Sequence, residues 1–379
     1  MKILRVVATD FKLCEDNFEI NFIPSEKKYD TDKEYELHEI AEGLFTFTTM
    51  AFVGKNASGK TTAVNLLALV YDIFQNFRVK NEENSILPFN KVVNLDIVFF
   101  YEGHLYRYIT DLAGDKVNNI IHFKNQQLTS RKYYKSYSNE IFDFLKYEAV
   151  NFERSRIPTD TSILFYLLND MDIYGVNTSN FLFSGTNVYS FLLEMLDTLE
   201  SAKDARLKET VVRLFDHHIE DIKKAGDEKY KLCYTDGKSK ILSGEELLAT
   251  LSTGTTRGMK LFTVAIFSLQ HGLDLLVDEI ENHFHKTIVN NLINLYKEKK
   301  INRNSARLIF TTHYCELLDL FRRGDNIYIT KHNNKIMLEK ISNYDFRTEL
   351  LKSKRFYQNA FDTNVDYDAL MALKKELMK

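Results

Sequence analysis

Eight consecutive residues, Gly54 to Thr61, read GKNASGKT and fit the spacing G-x-x-x-x-G-K-[ST] in full. That spacing suits one task, the holding of a chain of phosphates. Glycines let the backbone turn its N–H groups inward around phosphate oxygens. A helix starting at the lysine would aim the positive end of its dipole at the same anion. Lys60 would reach the β- and γ-phosphates, and the Thr61 hydroxyl would face Mg²⁺. Gly54, Lys55, Asn56, Ala57, Ser58, Gly59, Lys60, Thr61 and Thr62 are the residues expected to bind ATP.

Three later stretches could complete such a site. In "LLVDEIEN", Leu275 to Asn282, an apolar run ends in two carboxylates. A strand that delivers Asp278 and Glu279 at its C-terminal end puts them where α/β sheets bind ligands. Asp278 would hold Mg²⁺, and Glu279 would orient or deprotonate the attacking water as a general base. In "LSTGTTRG", Leu251 to Gly258, Ser252 and Gly254 stand just before a helical pattern of Leu261, Val264, Ala265 and Leu269. Small residues at a helix start can bind an anion; Ser252 as a plain N-cap accounts for the same pattern. In "LIFTTHYCE", His313 follows a strand and could hydrogen-bond a γ-phosphate oxygen, although a lone His there also serves structure. His217, His218, His283 and His285 form no second cluster that would suit a metal.

The elements that must position these residues are legible in outline. "ILRVVATDF", "FEINFI" and "FTFTTMAFVG" read as strands, the last ending at the glycine turn. From Thr61 the period becomes helical, with Val64, Leu67, Ala68 and Tyr71 on one stripe. The phosphate loop therefore sits between a strand and a helix. "VVNLDIVFFYEG", "HLYRYITDLAG" and "VNNIIHFKN" read as an antiparallel meander. Residues 131–247 read as mostly helical, in "RKYYKSYSNEIFDFLKYEAV", "VYSFLLEMLDTLESAK" and "ARLKETVVRLFDHHIEDIKKA", without the heptads of a long coiled coil. Strand–helix alternation returns from residue 248, a hairpin is expected around "KHNNK", and a helical tail follows. The expected organisation is 1–130 and 248–342 as two parts of one α/β ATPase head, 131–247 as a helical insertion and 343–379 as the tail.

Composition bounds the rest. The 379 residues are 44% hydrophobic and 27% charged, the balance of a globular chain with a sizeable core. A net charge of −3 carries no global signature of nucleic-acid binding, and "KEKK" and "SRKYYK" read as solvated surface. Cys14, Cys233 and Cys315 lie far apart without a metal or disulfide spacing, so a reducing, cytoplasmic compartment is expected. The first residues do not read as a signal peptide, and no apolar run approaches the ~18 residues of a membrane span.

Phosphate loop, "LSTG", a "DE" after an apolar strand, and a terminal His stand in the order of ABC-type ATPases. The opening "VVATDFKLCEDNFEINF" resembles the first strand pair of SMC/RecF-type ATPases. Within that group, "LSTGTTRG", "DLLVDEIENHFH", "RLIFTTHYCELLD" and "ISNYDFRTELLKSKRFYQNAF" are similar to ATP-binding proteins associated with bacterial abortive infection. The likeness covers residues 1–110 and 248–360 and leaves the insertion aside. It implies an ABC-type P-loop head, with a mixed sheet and a parallel α/β core, that hydrolyses Mg·ATP. Asp278 and Glu279 would be its Walker B pair, Ser252 and Gly254 its signature, and His313 its switch histidine. It implies a homodimer with each ATP held between the loop of one copy and the signature of the other, controlling a separate effector, a nuclease or toxin, in anti-phage defence. Two features depart from the pattern. No glutamine suits the Q-loop, since Gln75 falls in the first helix and Gln126 and Gln127 in the meander, and Asn359 and Asp362 replace tail glycines. The rival expectations are a RecF-like repair ATPase that binds DNA, a transporter's nucleotide-binding subunit, and a slow ATP-gated scaffold.

Overall fold

A computed structural model describes residues 1–79, 91–115, 120–151, 157–168, 181–183, 202–226, 228–282, 284–344, 351–358, 361 and 367–378. The chain forms two units, Met1–Ser179 with Ile309–Lys379, and Asn180–Leu308.

The first unit opens with β1 (Lys2–Thr9) and β2 (Phe18–Asn21), an antiparallel pair. A short helix, α1 (Asp30–Tyr35), leads to the hairpin β3 (Leu37–Ala41) and β4 (Leu44–Phe47). β5 (Thr49–Val53) is buried at every position, as a strand covered on both faces must be. It delivers the phosphate loop to α2 (Lys60–Asn76), which buries Leu66, Leu67, Val70, Ile73 and Phe74. The meander follows as β6 (Val92–Tyr101), β7 (His104–Asp115) and β8 (Ile120–Lys132). With β9 (Glu148–Ala149) these strands make an antiparallel sheet ordered β2-β1-β6-β7-β8-β9. Phe74 of α2 meets Phe99 of β6 edge to face at 5.0 Å, which seats the loop's helix on this sheet.

The helical reading of "RKYYKSYSNEIFDFLKYEAV" does not hold. The stretch finishes β8, makes two 3-10 turns at Lys135–Tyr137 and Phe144–Lys146, and ends in β9. Tertiary contacts override the helical spacing. The Arg107 guanidinium lies 3.8 Å from the Phe144 ring centre and Arg131 lies 3.7 Å from that of Tyr137, while Ile141 is buried with Val98 and Leu105. Beyond it, α3 (Leu164–Leu168) is a single helical turn.

The second unit contains β10 (Phe181–Phe183), α4 (Ala202–Phe215), and the meander β11 (Ile219–Lys224), β12 (Lys229–Tyr234) and β13 (Ser239–Ser243). "ARLKETVVRLFDHHIEDIKKA" therefore begins as helix and ends as strand. Ile219 and Ile222 are three apart, which mimics a helix; a bulge between Ile219 and Asp221 turns both to the buried face of the strand. The Asp216 side chain accepts from the His218 amide at 3.0 Å and turns the chain between the two elements. "VYSFLLEMLDTLESAK" lies almost wholly outside the described residues. Next come α5 (Gly244–Thr250), α6 (Thr253–His271), β14 (Asp274–Val277) and α7 (Lys286–Lys297). β10 and β14 are parallel. Arg307 and Asp274, both under 5% exposed, form a buried ion pair here, with Arg307 Nε 2.9 Å from Asp274 Oδ2.

The chain returns to the first unit along β15 (Arg307–Thr312), then the expected hairpin of β16 (Ile327–His332) and β17 (Ile336–Lys340). In this unit the strands run β15-β5-β16-β17, with β5 and β16 parallel and Phe52 opposite Tyr328. α8 (Lys352–Tyr357) and α9 (Tyr367–Leu377) belong to the tail; Asn359 and Asp362 lie outside the described residues. Buried Arg323 ties the turn before β16 to the segment around α1, donating to Asp325, Asp32 and the Glu26 and Lys27 carbonyls at 2.6–3.1 Å. Among the described residues no helix is long and apolar enough to cross a membrane.

Candidate functional site

β5 gives way to Gly54 after Val53, and the loop to α2 has the geometry its glycines predict. Gly59 is the N-cap of α2 at φ +103°, in the left-handed region that favours glycine. It offers no side chain to cap the helix, and no acidic residue stands in the first turn, so nothing there repels an anion. Gly54 is needed for space, because a Cβ on it would collide with Thr330 and Ser58. Lys55, Asn56 and Ala57 are exposed, and Ala57 takes φ +60° although it is not glycine. Thr61, the expected Mg²⁺ ligand, is exposed at the helix start, and Thr62 beside it is half-buried. This cradle of turned backbone, open helix end and lysine fits a nucleotide's phosphates.

Lys60 is 6% exposed and curls back into the loop, donating to the Gly54 and Lys55 carbonyls at 3.0 Å each. Its Nζ also stands 3.3 Å from Nδ1 of His313, which leaves β15. An ammonium can only donate, so Nδ1 accepts, and the His313 ring in this contact carries its proton on Nε2. The structure thus joins two residues, chosen separately from the sequence, at one point. Ser58 behaves differently from its neighbours. Its side chain is fully buried and its hydroxyl is bonded to Thr330 at 2.5 Å, turned away from the loop's open side.

In the second unit, Ser252 is the N-cap of α6. It accepts from the Thr255 amide at 3.0 Å and meets the Thr255 hydroxyl at 2.8 Å, so its own side chain is engaged in capping. Gly254 lies in the first turn of that helix, and Gly258 packs against the Phe215 ring, where a side chain would not fit. β14 delivers Asp278 and Glu279 at its C-terminal end. Glu279 takes φ +51°, an uncommon conformation for a residue with a side chain. Asn282 donates its amide to the Glu279 carboxylate, and its backbone N–H reaches the Glu279 carbonyl at 2.9 Å. Asn282 is a supporting residue that sequence reading passed over; its place three residues after the Glu, in a turn, was the available signal.

Gln126 has a structural task. Its Oε1 accepts from Tyr108 Oη at 2.7 Å and from the Ile163 amide at 2.8 Å, and its Nε2 donates to the Thr161 carbonyl at 3.1 Å. Burial pushes the ionisation of Tyr108 well above its usual range, so the hydroxyl stays a donor. Gln75 lies within α2 and Gln127 within β8, paired with Ile109. His217 and His218 lie between α4 and β11 with their rings 3.9 Å apart, and His285 caps α7; His283 lies outside the described residues. Among the described residues, no group of three or more His, Cys, Asp or Glu could hold a metal by itself.

Two residues next to the phosphate loop belong to no motif. Thr330 and His332 come from β16, the first strand of the hairpin expected around "KHNNK". Pairing β16 beside β5 brings them to the loop.

Among known proteins, a search of curated sequences gave no match. Residues 50–319 match the family described as "AAA domain, putative AbiEii toxin, Type IV TA system". The match begins within β5, takes in the phosphate loop, and ends just past His313. A phosphate loop in an α/β fold, matched over most of the chain, settles the class: the chain belongs to this family of AAA domains and is a nucleotide-binding P-loop ATPase.

Proposed function

We propose that this chain is the ATP-binding and hydrolysing subunit of a bacterial anti-phage defence system, in which ATP-dependent dimerisation governs a separate nuclease or toxin. The family description, with its toxin–antitoxin reference, supports the defence setting. The observation that carries the chemistry is the meeting of Lys60 and His313, 3.3 Å apart, at the mouth of the phosphate loop. A γ-phosphate taken up there would draw Lys60 off its loop carbonyls and bring His313 against the same oxygen. Thr61 and Asp278 would hold the Mg²⁺ that enters with the triphosphate. Glu279, steadied by Asn282, would orient the attacking water.

Ser252 and Gly254 open a helix with no acidic residue in its first turn, a start suited to close over a phosphate presented by a second copy. Each site would then be incomplete in one chain, in the ABC and SMC/RecF manner, and ATP would act as an adhesive released by hydrolysis. The test is Glu279→Gln with saturating Mg·ATP, followed by light scattering and phosphate release. We expect hydrolysis to stop and a dimer to accumulate that returns to monomer when nucleotide is removed. A chain that stays monomeric under those conditions would end the clamp proposal.

A further inference from the structure

The hairpin β16–β17 touches the phosphate loop at three successive residues, 57, 58 and 59, immediately before Lys60. The Ser58 hydroxyl meets the Thr330 hydroxyl at 2.5 Å, and Thr330 Oγ1 donates to the Val53 carbonyl at 3.3 Å. Since Thr330 spends its proton on Val53, Ser58 is the donor to Thr330. This relay fastens the loop to the end of β5, and both hydroxyl residues are buried, at 0% and 1% exposure. His332 Nδ1 lies 3.1 Å from the Ala57 carbonyl, which can only accept, so the ring donates. That bond holds the carbonyl of the one non-glycine residue in the loop with positive φ. Ile336, at the start of β17, fills the space beside Gly59.

The hairpin is itself held from behind. Ile336 exchanges backbone hydrogen bonds with Leu13 and Glu15 at 2.8 and 3.0 Å, and Lys335 pairs with Asp16 at 3.0 Å. The brace therefore has an anchorage independent of the loop it steadies.

We infer that Thr330 and His332 are positioning residues for nucleotide binding: they hold Ala57 and Ser58 so that the loop is already shaped for phosphates before the ligand arrives. A loop rich in small residues loses conformational freedom when it closes around an anion, and a brace that prepays part of that ordering raises affinity without touching the ligand. The bland alternative is that the two side chains only stabilise the fold. The roles differ in what they move. A brace acts on nucleotide affinity and KM far more than on kcat, whereas a stability role lowers Tm and leaves the affinity of the folded molecules alone.

The inference rests on Gly54–Thr61 being the nucleotide site, and the experiment separates the two. Affinity for ATP and ADP would be measured by titration calorimetry on the full-length wild type, Thr330→Val, Thr330→Ser, His332→Ala, His332→Asn and Lys60→Ala, with Tm recorded for each. Valine keeps the shape of threonine and removes its hydroxyl, serine keeps the hydroxyl, and asparagine places an N–H near the position of Nδ1. We expect Thr330→Val and His332→Ala each to weaken binding about three- to tenfold, the range of one or two lost hydrogen bonds. Thr330→Ser and His332→Asn should recover most of it, and KM should rise with the same ratio. Wild-type affinity in both Thr330→Val and His332→Ala, with Lys60→Ala abolishing binding, would overturn the inference and leave the site standing. Wild-type protein that binds no nucleotide would overturn both. Should Thr330→Val fail to fold, the half-buried His332 pair decides the matter alone.

Discussion

Gly59→Ala is a perturbation whose cost divides into two parts of different origin. The first is conformational: at φ +103° an L-residue pays roughly 1–2 kcal/mol that glycine avoids. The second is steric. The new Cβ would run into Cγ2 of Ile336, with Cδ1 and Cγ1 at only 3.1 and 3.2 Å, and forcing a side chain into a filled space costs about 1–3 kcal/mol. Together these destabilise the first unit by about 2–5 kcal/mol. Ile336 is 6% exposed, so Ile336→Ala alone should cost roughly 2–5 kcal/mol. The double variant removes the collision but keeps the left-handed strain. Its cost should therefore fall short of the sum of the singles by about 1–3 kcal/mol, the steric part. Urea unfolding of the four proteins, followed by circular dichroism and checked with the hydrogen-exchange protection of α2 amides, measures the cycle. Additivity to within about 0.5 kcal/mol would refute the packing of Ile336 on the loop. A Gly59→Ala cost below about 1 kcal/mol would refute the left-handed turn as well.

Removing one partner of the buried Arg307–Asp274 pair, as in Asp274→Asn, should destabilise by about 3–5 kcal/mol because it strands a buried charge. Replacing both with Met and Leu should cost far less or nothing, and equal losses in thermal unfolding would show that the pair is not buried as described. Burial pushes the Cys14 thiol up to about 12 from 9.0, with Lys12 opposing it. The unfolded thiol ionises near 9 while the native one stays protonated, so its contribution to stability is fully present below pH 9 and is lost as pH rises toward 12. The fall of Tm with pH across that window should be shallower in Cys14→Ala than in the wild type; identical slopes would place the thiol in contact with water.

The parts of the candidate site are legible one stretch of chain at a time. Loop, helix start, acidic pair, small-residue helix start and histidine are each local: a glycine turn needs only its own φ, and a strand that ends in two carboxylates needs only its own apolar run. The strands β1, β2 and β5–β8 and the β16–β17 hairpin were legible for the same reason, since alternation and turn residues report on one element at a time. At Arg131–Val150 and from His217 onward the local spacing suits a helix, and packing overrides it. Aromatic rings laid under Arg107 and Arg131 hold the first stretch in two short 3-10 turns between strands, and a bulge lets a three-residue spacing serve a strand in the second. Packing between elements sets Lys60 against His313, turns Ser58 inward, holds Gln126 on Tyr108 and Ile163, and brings Thr330 and His332 to the loop. Each of those bonds joins residues from separate elements, and a strand's own pattern carries no record of which strand will lie beside it.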